Sequence, residues 1–362
     1  MATSTVNTNS ILKKYESNYF KEFVRESGFK PYMGASALSP FVVKRQLISG
    51  GQVINIPLVS ALNGDGKGTG TLVGNEEALG NYSYDVKPYW HRHAVLVDKE
   101  QAHISSFDMK SAARDMLKVW EMDELRDGII NALSSVAENS GSYDGVAGHA
   151  KQVYLPEATT AQKNAFAAAN QFRLLFGAAE SNYSATWATA LATVGSGDEL
   201  GLEEIELMKR MARRRVKGSY PSIRPLRVAG NREYYVGFTG SLNFAKLKAA
   251  MRTANLDGRP RDVENNPVFQ DGDLEWDGVI IREIPEIATG TAAGLSANQE
   301  PFYLCGAQAL GIAWGQTPRA TERKEDDYGF QYGKGTESLW AAEKLTYNGL
   351  DHGVLTGFFY TA

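Results

Sequence analysis

The sequence predicts an α+β fold, and three observations carry that prediction. Two extended arms alternate around a glycine-rich tip between residues 52 and 97. A long amphipathic helical stripe follows over residues 108–138. Beyond it, helical segments and strand-like runs succeed one another as a mixture.

Residues 1–45 read as an arm, polar at first and then helical in spacing from Ile11 to Phe23, with Pro31 and Pro40 interrupting regular structure after Gly28. The first extended arm is Gln52–Val59, and the return arm holds Tyr82–Lys87 and Ala94–Val97. Tyr82, Tyr84 and Val86 alternate with Ser83, Asp85 and Lys87, which places the two sets on opposite faces of a strand. Gly64, Gly66, Gly68, Gly70 and Gly74 lie between the arms and leave the tip mobile until a neighbour holds it. A two-stranded ribbon is marginal alone in water, so it needs a covering surface from its own chain or another subunit.

The helix over 108–138 has a start signal, Ser105 to Asp108 in capping-box spacing, and a stop at Ser140-Gly141. Its stripe runs Met109, Ala112, Met116, Val119, Met122, Leu125, Ile129, Leu133 and Val136. Roughly 30 residues give a rod of about 45 Å, with Gly128 placed to bend it. Further helices are expected over Thr160–Phe176 and Glu199–Lys217, the second capped by Asp198. Strands are expected over Ile223–Val228, Tyr234–Phe238, Val279–Glu283 and Phe302–Cys305, and then through Tyr328–Tyr360.

Composition excludes several functions. The chain has 362 residues, 43% apolar, 22% charged and a net charge of −4, so no global charge favours nucleic acid. Its length exceeds what one core usually holds, and two domains are the default. A lone cysteine, Cys305, rules out an intrachain disulfide framework and a cysteine zinc site, and its apolar surroundings predict a buried inert thiol. No apolar run approaches the ~20 residues that cross a bilayer. Met1–Ser10 lacks the features of a secretory signal, which predicts folding in a reducing cytoplasm.

The chemical motifs fail on detail. Gly66-Lys67 is followed by Gly68 and preceded at the required spacing by Ala61, so no phosphate loop is formed. Asp273–Gly278 starts like a calcium loop, but its twelfth position is Ile284; Asp277-Gly278 reads better as a hairpin turn. His91 and His93 share a strand face, and the remaining ligands, for which only His103 and His149 offer, are not evident. Lys209–Lys217 is a basic cluster at a helix C-terminus, with Glu203, Glu204 and Glu206 at the other end, as the helix dipole favours. No nucleophile elbow or zinc-protease motif occurs, so neither an enzyme nor a cofactor is predicted.

The order of these segments resembles the tailed-phage major capsid protein of Hong Kong 97 type. The run Asn81–Glu100 into the helix, Ile223–Leu226 with Tyr234–Val236, Gly306–Leu310 and Glu325–Phe330 resemble the schitovirus-type podophage branch. The resemblance implies an N-terminal arm (1–51), an E-loop hairpin (52–106), and a spine helix with the first part of a P domain (107–177). An A domain (178–317) and P-domain return strands (318–362) complete it. It further implies hexamers and pentamers that close an icosahedral shell around double-stranded DNA. Scaffolding, portal and decoration proteins are the implied partners, with no membrane. The short stretch before the E-loop implies a scaffold supplied separately. Some members crosslink an E-loop lysine; Lys67 matches by position only, and no crosslink is predicted. Asp65, Lys67, Glu76 and Glu77 at the tip, with Arg213, Arg214 and Arg215, are the expected intersubunit contacts. An encapsulin-like compartment is the alternative. A nucleotide- or metal-dependent enzyme and a DNA-binding protein acting through Arg213–Arg215 rank below it.

Overall fold

A computed structural model describes residues 28–45, 53–105, 108–138, 152–216, 220–229, 232–256, 273–326, 330–347 and 349–362. The expected arm helix over 11–23 lies outside these residues. The chain divides into two compact units. His91–Glu124 and Pro318–Ser338 belong to the smaller, and Ser27–Trp90, Leu125–Thr317 and Leu339–Ala362 to the larger.

The larger unit is organised by a sheet whose strands run in the order β11-β12-β10-β13-β18-β8, with β9 on the edge of β10. These are β8 (Leu174–Phe176), β9 (Arg227–Ala229), β10 (Arg232–Thr239), β11 (Leu274–Trp276), β12 (Val279–Glu283), β13 (Gln299–Cys305) and β18 (Val354–Tyr360). β10 pairs in parallel with β12 and antiparallel with β13. Every residue of β13 is buried, as expected of a central strand covered on both faces. One core packs Ile205, Met208 and Met211 of helix α5 (Leu202–Arg213) and Phe244, Leu247 and Met251 of α6 (Ser241–Leu256) against it. A second gathers Phe29, Phe41, Phe238, Ile129 and Trp340, with Phe29 and Phe238 edge to face at 5.0 Å. Cys305 lies in this core with its thiol pushed up by burial.

Also in this unit, β1 (Met33–Gly34), β2 (Phe41–Arg45) and the start of β14 (Leu310–Asp326) form parallel pairs. β3 (Ile54–Val59) and β4 (Asn81–Val86) make the antiparallel hairpin in the register Ile54↔Val86 to Val59↔Asn81.

The smaller unit holds most of β5 (Tyr89–Asp98), the first part of β15 (Gln331–Lys344) and the later part of β14, which are neighbours in the strand order β14-β15-β5. Helix α1 (Lys99–Ile104) precedes the long helix α2 (Met109–Leu133). Within this unit Lys110 lies over the Tyr332 ring at 3.4 Å, and Thr336 donates to Glu121. No helix among the described residues is long and apolar enough to cross a membrane.

Several expected boundaries change. The long helix has 25 residues, and 135–138 form strand β6, paired with β7 (Gln152–Tyr154). Ser134 Oγ bonds back to Asn131 O, and strand pairing then takes over the backbone groups. The expected stop at Ser140-Gly141 lies outside the described residues. At the other end Asp108 itself caps, accepting from Lys110 N at 3.0 Å. Thr160–Phe176 is a helix only to Ala169 (α3); Leu174–Phe176 is strand β8. Asp198 does not cap α5. Its carboxylate accepts from Ala178 N and Gly195 N, and Gly201 holds the cap position. Ile223 is buried between exposed neighbours, and the chain is not a strand until Arg227.

Candidate functional site: a projecting hairpin and its buried anchor

The β3–β4 hairpin is held at its base by apolar and polar contacts. Ile54, Ile56, Tyr84 and Val86 pack against Ala313, Ala341, Leu345 and Tyr347. Gly311 permits this approach: a Cβ there would stand 2.7 Å from Ile56 Cδ1. Tyr84 donates to Glu343 Oε2 at 2.8 Å and accepts from Gln152 Nε2 at 2.8 Å. Gln152 in turn accepts from Lys344 N at 2.8 Å and lies 2.7 Å from Ser135 Oγ. Tyr84, Gln152 and Glu343 are all buried, so each polar atom must find a partner inside the protein.

Beside this network Lys344 and Asp351 form a buried ion pair at 2.8 Å. Burial pushes the Asp351 carboxyl up, and the neighbouring Lys344 and Arg173 oppose that. Arg173 is lowered to about 10 by burial and donates to Asp351 O at 3.1 Å. The Lys344 ammonium also faces the Phe166 ring at 4.8 Å.

The tip presents a different surface. Leu72, Val73 and Leu79 are 69%, 81% and 64% exposed, a high value for residues of this size clustered on one loop. Glu77 clasps the tip by accepting from Asn63 N at 2.7 Å and Gly64 N at 2.6 Å. Glu76 accepts from Gly74 N, and Gly74 and Gly68 hold positive φ. Asp65 and Lys67 are exposed. The tip is thus closed by its own carboxylates.

Much of the basic cluster is engaged within the chain. Lys209 pairs with Asp277, Arg213 with Glu233 at 2.7 Å, and Arg214 with Glu180 at 2.8 Å. Arg215 reaches Asn63 Oδ1 at 3.5 Å, bringing this segment to the hairpin. A cleft of about 440 Å³ lies there, lined by Leu58, Tyr82, Arg215, Tyr220, Tyr347 and His352.

The other chemical signals have structural explanations. His91 pairs with Glu124 at 3.0 Å, holding that carboxyl below its usual range, and His93 stacks on Trp120 at 4.9 Å. Asp277 and Gly278 adopt positive φ between β11 and β12, as a tight hairpin turn requires. Among the described residues no three His, Cys, Asp or Glu side chains converge as a metal site. Sequence reasoning found the hairpin and its charges but missed the anchor. Gln152 and Glu343 are polar residues far apart in the chain, and neither sits in a motif.

Comparisons with known proteins agree with one another. The family described as phage capsid protein matches residues 3–356. The chain is 29% identical over 292 residues to the major capsid protein of Pseudomonas phage KPP25, covering 77% of this chain and 73% of that one. The cyanophage Pam1 capsid asymmetric unit superposes with a TM-score of 0.87 and 36% identity, covering 100% of both chains. The capsid of Ralstonia phage GP4 shares the fold, with a TM-score of 0.70 and 18% identity over 100% of this chain and 99% of that one.

Proposed function

This chain belongs to the phage capsid protein family, and we propose from that premise how it builds its shell. Its function is that of a phage major capsid protein, a structural subunit of the virion capsid. In our reading it follows the Hong Kong 97 plan of the schitovirus-like branch, with β3–β4 as the E-loop and α2 as the spine helix. The five segments 1–51, 52–106, 107–177, 178–317 and 318–362 are the arm, E-loop, spine, A domain and P-domain return. Subunits assemble in the host cytoplasm as hexamers and pentamers around double-stranded DNA, held without sequence specificity. A separate scaffolding protein, a portal and decoration proteins are the proposed partners.

The observation that carries this reading is the contrast within one hairpin. Its base is locked by Tyr84, Gln152 and Glu343, while Leu72, Val73 and Leu79 stand in solvent at its tip. A rigid ribbon offering an apolar end suits insertion against a second copy. Asp65, Lys67, Glu76 and Glu77, with Arg213, Arg214 and Arg215, are the proposed polar rim of such contacts. Charged rims of this kind make assembly depend on ionic strength.

Electron microscopy of the purified chain, alone and with its scaffold, tests the proposal. Closed shells or six-membered capsomers are expected. A chain that stays monomeric with scaffold present overturns the assembly reading. Assembly that proceeds equally at low and high salt removes the charged-rim part alone.

A further inference from the structure

Glu300 lies on the central strand β13, 1% exposed, directly beneath the start of helix α6. Its Oε2 accepts from the backbone N–H of Asn243 at 2.6 Å. Asn243 Nδ2 donates at 3.2 Å to the backbone oxygen of Glu300, so the two residues are joined twice. Gly240 leaves room for this, since a Cβ there would overlap Glu300 Oε1. Among the described residues no cationic side chain pairs with the carboxylate. The charged side chain that acts on it is Glu283, of like sign, whose Oε1 accepts from Ser241 Oγ at 2.6 Å. Two carboxylates therefore share one helix start.

The other described titratable groups around Glu300 supply no counter-charge. Lys246, one turn further along α6, is taken by Glu199 at 2.7 Å and by Ala362 O at 3.2 Å. Tyr303, on the same strand, is a buried phenol held neutral, its pKa raised by burial. On β18 the register partner of Glu300 is Phe359, and on β10 the adjoining end residue is Thr239. One further observation points to a proton. Asn243 Oδ1 is buried with no hydrogen-bond donor among the described residues. A carboxylate carries no donor, whereas a carboxylic acid does.

We propose that Glu300 is a proton switch on the first turn of α6, closed when it carries the proton and loosened when it is ionised. In the protonated state the acid is a neutral, buried hydrogen-bonding group. Ionised, it must draw water to the helix start or stand as an uncompensated charge beside Glu283. Burial pushes its carboxyl up to about 7, against the lowering effect of the Asn243 and Leu242 amides, with Glu283 adding to the rise. The folded value lies above the unfolded one. This contribution to stability is therefore complete below the ordinary carboxylate range and is lost as pH rises through about 7. The switch gives the subunit a response to mild alkalinity that its role in a shell does not by itself require.

Infrared difference spectroscopy on the full chain, titrated from about pH 5 to about pH 9, reads the proton directly. The expected result is loss of a protonated-carboxyl band with a midpoint near 7, absent from Glu300→Gln. Amide exchange of the peptide holding Leu242 and Asn243 should rise across the same range beyond its intrinsic pH dependence, in the wild type only. Glu283→Gln should move the midpoint down by removing the like charge. It serves as the deciding variant if Glu300→Gln does not fold. A wild type with no carboxyl band titrating in this range overturns the proposal. So does a band retained in Glu300→Gln, or a midpoint that Glu283→Gln leaves in place.

Discussion

Gly128 lies flat against the indole of Trp340: a Cβ added to it would stand 2.5 Å from Trp340 Cη2 and 2.9 Å from Cζ3. The residue the sequence offered as a bend in the long helix serves as a packing notch. α2 continues through it without interruption, and Trp340 is 1% exposed beside Ile129 and Ile130. Gly128→Ala should gain helix propensity of about 1 kcal/mol and lose more than that by overpacking. A net loss of up to about 2 kcal/mol in urea unfolding is expected. The double variant Gly128→Ala, Trp340→Phe should recover part of it, because the smaller ring makes room for the methyl.

Tyr84→Phe isolates the polar half of the hairpin anchor. The ring stays, but Glu343 loses a donor and Gln152 an acceptor in a site closed to water. A cost of about 1–3 kcal/mol is expected, the penalty of leaving a buried polar group unmade. Hydrogen exchange should show faster opening of Ile54–Val59 and Asn81–Val86 than of the β13–β18 pair, which does not depend on Tyr84. A uniform change across both pairs would argue against a local anchor.

How much of this was legible in the sequence follows from where the information sits. The hairpin arms and the Asp277-Gly278 turn were readable because alternation and turn chemistry are local. The helix over 109–133 was readable from its stripe, but its end was not. Residues 135–138 leave the helix to pair with 152–154, a preference set by a strand that propensity cannot see. The same holds for Leu174–Phe176, whose apolar run continues a helical pattern yet adds to the sheet beside β18. Helix α6 was missed altogether, its start marked by a buried acid from another strand rather than by a local cap. Of the candidate site, Asp65, Lys67, Glu76 and Glu77 were named from the tip's composition. That two of them cap the tip's own amides needed coordinates.

The tip should tolerate what the anchor does not. Leu72→Ser, Val73→Ser and Leu79→Ser replace side chains that lie mostly in solvent, so each should change stability by less than about 0.5 kcal/mol. The triple variant should keep the wild-type melting curve and fail to assemble, as read by light scattering and microscopy. Normal assembly would show that the exposed apolar tip is not a contact surface.

Lys344 and Asp351 make the opposite case, a pair whose worth shows only when one member is removed. Lys344→Met leaves Asp351 buried beside Arg173 without its 2.8 Å partner and should cost about 3–5 kcal/mol. Lys344→Met with Asp351→Leu should be less destabilised than either single change, since no charge is then stranded. Denaturant unfolding of the four proteins measures the coupling. Additive losses would mean that the pair contributes nothing beyond its separate packing.

His352 is expected to make the fold sensitive to acid. It follows Asp351, rests edge-on to Tyr347 at 5.3 Å, and is lowered to about 4 by burial with Arg173 adding to the effect. The sign is opposite to that of Glu300. Here the unfolded chain takes up the proton first, so stability is intact above about 6.5 and falls as pH drops toward about 4. The full shift corresponds to about 3 kcal/mol, less what partial solvent contact returns. His352→Phe removes the titrating group while keeping a ring against Tyr347, so its melting temperature should decline less than that of the wild type between about pH 6.5 and about pH 4. Parallel decline in both proteins would place the acid sensitivity elsewhere. Glu300 acts with opposite sign over an overlapping range, its contribution falling between the ordinary carboxylate range and about 7, so the two partly cancel in the wild type.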